Sequence, residues 1–128
     1  MTQAKLISQA PVLLTKDILA GVEYWEQKIG FTARLWGDPP NHAILRRDGC
    51  FLMLSQAPEG HEVVPNWKVN GIWNAYFWVD DAKAIYEELT TSGAIIDYKL
   101  HEKPYDVLEF GIQDLDGHDI AFGQDLSA

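Results

Sequence analysis

Four histidines, one cysteine and a few carboxylates are the side chains of this sequence that could hold a metal ion or attack a substrate. His42, His61, His101 and His118 lie far apart, with no HExxH or paired Cys/His spacing to bring two donors onto one ion. His42 or His101 together with Glu109 could supply a metal site, against the ordinary structural roles that scattered histidines usually have. His61 and His118 read as solvated. Cys50 has no partner for an internal disulfide, and its place beside Phe51 at the start of an apolar strand suggests a buried, reduced thiol. Ser55, Ser92 and Cys50 lack an evident base to activate them as nucleophiles. Asp80-Asp81 resembles an acid/base pair, but helix capping explains it more simply.

A unit that occurs twice must position these side chains. The first copy runs from Pro11-Val-Leu-Leu14 through Asp17 and a short amphipathic helix to Gly30-Phe31 and further strands. The second runs from Tyr76-Phe-Trp-Val79 through Asp80-Asp81 and another helix to Gly93-Ala94 and further strands. Thirteen residues carry Asp17 to Gly30, and thirteen carry Asp80 to Gly93. Each copy later holds an Asp-Gly turn, Asp48-Gly49 and Asp116-Gly117. Such a repeat fixes an architecture, because neither copy can bury its apolar face alone.

In the first copy Ile18, Val22, Trp25 and Ile29 recur at helical spacing. Asp17 suits the N-cap, and Gly30 suits the left-handed closing position. Strands are expected over 7–14, 31–36, 43–46 and 50–55, with a hairpin at Arg47-Asp-Gly49. The second copy is expected to give a strand over 72–79, a helix whose apolar face is Ala82, Ile85, Tyr86 and Leu89, and strands over 95–100, 107–112 and 118–122. The stretch 56–71 holds Pro58, Gly60, Pro65 and Gly71 and reads as an irregular linker. The sequence therefore predicts one α+β domain over residues 1–128, with modules at about 7–55 and 72–123.

Composition narrows the function. The net charge of −9 and the scattered basic residues argue against a nucleic-acid partner, whose phosphates need clustered Lys and Arg. Acidity is compatible with a cationic ligand, although solubility alone is the more ordinary reason for it. No stretch reaches the length of an apolar membrane span, and Met1-Thr-Gln-Ala-Lys5 lacks a signal-peptide pattern; a cytoplasmic protein with no membrane partner is expected.

The order of these pieces resembles the vicinal oxygen chelate superfamily, which includes glyoxalase I, extradiol dioxygenases, and fosfomycin and bleomycin resistance proteins. The matching segments span residues 7–123. They are Ala10-Pro-Val-Leu13, Asp17-Ile18, Glu23-Tyr-Trp25 leading to Ile29-Gly-Phe31, Val79-Asp-Asp81 with Tyr86-Glu-Glu-Leu89, and Glu109-Phe110 followed by Asp114-Leu-Asp-Gly-His118. Leu115 stands where many relatives have Pro. The resemblance implies two tandem βαβββ modules forming a cupped mixed β-sheet. It also implies, for metal-dependent members, four strand positions that supply His, Gln or Glu to one divalent ion. Counted from the anchors, those positions are Ala10, Met53, Asn74 and Ala121. Alanine has no donor and a thioether is soft, so no metal and no cofactor is expected there. Gly111 replaces a tyrosine that some relatives use in catalysis.

Without a metal the resemblance narrows to the bleomycin resistance type, which sequesters a drug rather than transforming it and acts as a dimer with grooves between chains. Strand parity then groups Asn74 with Tyr76 and Trp78, and Met53 with Phe51 and Ser55. The expected ligand site comprises Trp36, His42, Met53, Trp73, Asn74, Tyr76, Trp78 and Glu109. Its planar rings suit a flat or cationic small molecule, and Glu109 acts either as an anionic contact or as a structural hydrogen-bond partner. The expected protein is a metal-free, homodimeric binder of a small molecule, with no catalytic residues. The alternative is a glyoxalase-like lyase or isomerase, a dioxygenase, or a fosfomycin-type transferase with relocated metal ligands.

Overall fold

Two four-stranded mixed sheets follow one another along the chain, one from each copy of the repeat. The structure, a computed structural model, describes residues 3–127. The first sheet is built from β1 (Val12–Thr15), β2 (Thr32–Trp36), β3 (His42–Arg47) and β4 (Cys50–Gln56), in the order β1-β4-β3-β2. The second is built from β5 (Ala75–Trp78), β6 (Ile95–Lys103), β7 (Val107–Gln113) and β8 (Asp119–Asp125), in the order β5-β8-β7-β6. In each sheet the first strand pairs in parallel with the last, and the others are antiparallel. The expected α+β class and repeated modules are therefore present, with the ladders hydrogen-bonded inside each copy.

Helix α1 (Ile18–Tyr24) begins at Asp17, whose side chain accepts from Ala20 N at 3.2 Å. It passes into a π-helical turn over Trp25–Ile29, where one uniform helix was expected. Phe31 N donates to the Trp25 carbonyl at 3.1 Å, and the wider turn accompanies burial of both Trp25 (1 % exposed) and Ile29 (0 %). Helix α3 (Ala82–Ser92) is capped by Asp81 rather than Asp80, with Ala84 N donating at 3.0 Å. Both helices close on glycines in the left-handed conformation, Gly30 and Gly93. Between them, the stretch read as irregular holds a four-residue helix, α2 (Trp67–Asn70).

The first strand is shorter than expected. The segment 3–11 is without regular structure, and the ladder to β4 starts where Met53 N donates to the Pro11 carbonyl at 2.9 Å. Pro11 has no N–H to extend that ladder backwards. Cys50 is exposed, correcting the buried-thiol expectation: it opens β4 directly after the Asp48-Gly49 turn, before the strand enters the core.

One apolar core joins the copies. Leu13, Leu45, Leu52 and Leu54 from the first sheet meet Phe77, Phe110, Ile112, Ile120 and Phe122 from the second, with Ile18, Val22, Trp25, Ile29 and Leu89 between them. Phe31 bridges the two, its ring 5.1 Å from Trp25 and 5.8 Å from Phe77. Polar contacts fix the packing. The Arg47 guanidinium donates to both Glu88 oxygens, at 2.7 and 2.8 Å, and holds that carboxyl below its usual range. Tyr24 Oη donates to the Gln113 carbonyl at 2.6 Å and accepts from Ile95 N at 2.9 Å. Because the helix-bearing faces of both sheets turn inward, their other faces look outward.

Tyr24→Phe would leave the Ile95 amide without its acceptor. It should destabilise the protein by about 1–3 kcal/mol in urea unfolding, with little change in the slope against denaturant.

Candidate ligand-binding site

The outward face of the second sheet is defined by its register. Tyr76 pairs with Ala121, Ala121 with Gly111, and Gly111 with Tyr98; in the next row Trp78 pairs with Gly123, Gly123 with Glu109, and Glu109 with His101. Apart from Glu109, small residues thus occupy the two central strands in these rows, and large ones the edges. The tyrosines lean inward over the glycines. A methyl group on Gly111 would overlap the Tyr98 ring, and one on Gly123 would overlap the Tyr76 phenol.

Their hydroxyls meet on one carboxylate. Glu109 is 0 % exposed. Its Oε1 accepts from Tyr76 Oη at 2.7 Å and Tyr105 Oη at 2.9 Å, and its Oε2 accepts from Tyr98 Oη at 2.7 Å. Trp73 Nε1 donates to Tyr98 Oη at 3.0 Å, and Lys103 Nζ lies 4.0 Å from Oε2 and 5.1 Å from the Tyr98 ring centre. A buried carboxylate needs such donors, because an unpaired one would carry a heavy desolvation cost. Desolvation first, and then the hydrogen bond to Glu109, raise the Tyr76 and Tyr98 phenols well above the ordinary tyrosine range and push Tyr105 up to about 12.

Above this floor lies an aromatic ridge. Trp73 and Tyr76 rings are 4.8 Å apart, and Tyr76 and Trp78 rings 4.9 Å apart. Trp78 is 63 % exposed. Asn74, Tyr76 and Trp78 line a cleft of about 580 Å³ together with Phe51 and with the segment 7–11, so the cleft is shared by both copies.

The first sheet also presents an outward face. Trp36 pairs with His42, His42 with Ser55, and Ile44 with Met53, so Trp36, His42 and Met53 share one side. Trp36 and Val12 are exposed. The Arg34 guanidinium lies 5.0 Å from the Trp36 ring centre, and that of Arg46 lies 5.7 Å from Phe51, so cations of the chain itself already cover these rings.

The eight expected site residues therefore fall into two groups, Trp36, His42 and Met53 on the first sheet, and Tyr76, Trp78 and Glu109 on the second together with Trp73 and Asn74, which precede β5 because the strand expected over 72–79 begins only at Ala75. Glu109 sits beneath the floor rather than in it, and acts on a ligand only through the tyrosines. Asn74 Oδ1 accepts from Asn66 N at 2.9 Å, so the amide is engaged in holding the linker. Phe51, grouped with Met53 by strand parity, lines the cleft, and Tyr98 and Tyr105 join the site unannounced, although glycine inside a strand is itself a signal of close approach. His118 is buried (3 % exposed), which corrects its reading as solvated: its Nε2 lies 2.8 Å from the Leu14 carbonyl, which draws the ring inward.

The metal positions implied by the resemblance do not fit a hard cation. Ala10 and Ala121 offer no donor, Met53 offers a thioether, and the Asn74 oxygen is engaged. The set of His42 or His101 with Glu109 does not assemble either. Glu109 is enclosed by phenols, while His101 is exposed, with Nδ1 2.7 Å from the Lys99 carbonyl.

A family model described as the Glyoxalase/Bleomycin resistance protein/Dioxygenase superfamily matches residues 8–122. Among solved structures, TioX from Micromonospora sp. ML1 is similar with a TM-score of 0.73 and 22 % identity, over 94 % of this chain and 99 % of that one. The bleomycin-binding protein of the bleomycin producer Streptomyces verticillus, complexed with copper(II)-bleomycin, gives 0.72 and 24 %, over 94 % and 97 %. A glyoxalase-related enzyme from Clostridium phytofermentans gives 0.76 and 15 %, over 95 % and 97 %. No curated protein matches the sequence.

Two outcomes follow from the phenol cluster. Gly111→Ala should destabilise the chain by about 1–3 kcal/mol, through overlap with the Tyr98 ring. In an ultraviolet pH titration Tyr76, Tyr98 and Tyr105 should stay largely un-ionised at pH 11, and Glu109→Gln should shift their ionisation to lower pH without bringing it to the ordinary tyrosine value, since desolvation remains.

Proposed function

We propose that this chain, which belongs to the glyoxalase/bleomycin resistance protein/dioxygenase superfamily, binds and sequesters a flat, cationic small molecule without metal-assisted chemistry. The observation that carries this reading is the ridge of Trp73, Tyr76 and Trp78, with Trp78 largely exposed at the edge of a cleft shared by both copies. Planar rings backed by a buried carboxylate favour a planar cation: the rings contribute area and stacking, and Glu109 below adds negative potential. The net charge of −9 acts in the same direction over a longer range.

The working form is a homodimer. Leu6 and Ile7 are almost fully exposed, and Val12, Trp36 and Trp78 are more than half or about half exposed on the outward faces. A second copy laid across those faces would bury them and deepen the groove. Among the described residues no helix is long and apolar enough to cross a membrane.

Copper(II)-bleomycin, the ligand in the Streptomyces verticillus structure, and other planar cations are the first compounds to assay by calorimetry. One of them should bind at one site per chain, and Trp78→Ala should weaken it about tenfold or more, as expected for loss of a stacked aromatic anchor. Equal affinity in Trp78→Ala, or metal-dependent turnover of the bound compound, would contradict the proposal. Sedimentation should give twice the mass of one chain.

A further inference from the structure

The turn between β7 and β8 carries a second constellation, remote from the aromatic ridge. Asp114, Asp116 and His118 each offer one ligand atom, and those atoms lie within 4.8 Å of one another. Asp114 and His118 are both 3 % exposed. Asp114 Oδ1 is engaged, accepting from Asp116 N at 3.0 Å and from His118 N at 2.9 Å. Its Oδ2 is buried and meets no hydrogen-bond partner among the described residues, and the same is true of His118 Nδ1.

The tautomer of His118 follows from its other nitrogen. Nε2 lies 2.8 Å from the Leu14 carbonyl oxygen, which can only accept, so Nε2 carries the proton. In the neutral ring Nδ1 then presents a lone pair. A carboxylate oxygen and an imidazole lone pair thus sit in the same buried turn without a donor for either. Buried acceptors left this way are costly, and native structures rarely keep two together. A histidine whose far N–H is fixed by a backbone carbonyl is also how metal-binding imidazoles are commonly held.

We propose that Asp114 Oδ2, His118 Nδ1 and the Asp116 carboxylate form a structural zinc-class cation site that fastens the last turn of the second copy to the end of the first strand. Two carboxylates and one imidazole suit zinc with a water as fourth ligand, and fall short of the six or more oxygens that calcium requires. The surroundings already tie the turn to the first copy. Lys16 N donates to Asp116 Oδ1 at 2.9 Å, and Trp67 Nε1 donates to the Gly117 carbonyl at 2.7 Å. None of the three ligands lies on an outward sheet face, so the ion would take no part in the binding proposed above, and either proposal can fail alone.

The test uses the full chain stripped with a chelator and titrated with zinc by calorimetry, with calcium in parallel and with cobalt(II) absorption reporting the ligand set. One zinc per chain should bind and raise the melting temperature, and calcium should do neither. His118→Gln and Asp114→Asn should each weaken zinc at least about tenfold. Asp116→Asn, at a less buried position, keeps the test open should the buried variants unfold, and it should also weaken binding. His61→Gln, at an exposed histidine outside the turn, should leave zinc affinity unchanged. Absence of stoichiometric zinc binding, or unchanged affinity in Asp116→Asn, would overturn the site in favour of a proton shared between Asp114 and His118.

Discussion

A single buried carboxylate organises the second sheet's outer face. Glu109 lies at the centre of that sheet and is closed over by the hydroxyls of Tyr76, Tyr98 and Tyr105. Hydrogen bonds to a charged acceptor contribute more than neutral ones, and an unpaired buried carboxylate is costly, so the three phenols cannot leave without leaving a charge uncompensated. Their positions in turn require Gly111 and Gly123, where any side chain would collide with the rings. The surface offered to a ligand follows from this arrangement: the phenols are held by their hydrogen bonds to Glu109, Trp73 is anchored on Tyr98, and Trp78 is left projecting.

Duplication explains why that surface faces outward. Each copy has one apolar helix-bearing face, and the two satisfy each other in a shared core through Trp25, Phe31, Phe77 and Phe110. The outward faces have no such partner inside the chain. On the first sheet Arg34 and Arg46 cover Trp36 and Phe51; on the second Lys103 lies against Tyr98 and Glu109, while the group that accepts from Tyr76 is the Glu109 carboxylate. The two faces therefore differ in electrostatic character although both copies repeat one pattern of elements, and the proposed cationic guest is better matched to the second.

Local signals in the sequence carried the architecture. The Asp17 cap, the closing glycines and the Asp-Gly turns act through the nearest few residues, so their types place the helices and hairpins, while the choice of Asp81 over Asp80 as the second cap was open in the sequence. Strand parity likewise separated the inward from the outward residues in both sheets. Three-dimensional contacts were less legible. Glu109 was readable either as an anionic contact or as a structural hydrogen-bond partner, and the choice between them rested on donors that stand 4, 11 and 33 residues away. His118 was readable as solvated because its partner, the Leu14 carbonyl, is 104 residues distant. Cys50 looked buried from its apolar neighbours, but the turn before it leaves the strand's first residue outside the core. The π-helical turn left no mark in the helical spacing that announced it.

The most direct test uses the five indole N–H signals in a nitrogen–proton NMR spectrum of the chain, assigned by single Trp→Phe variants, as a planar cation is added. Stacking on the ridge predicts that the signals of Trp78 and Trp73 move in saturable fashion while that of Trp25, enclosed in the core, stays in place. Movement confined to Trp25 or Trp67, or a ridge unresponsive to every ligand that calorimetry shows to bind, would contradict the account.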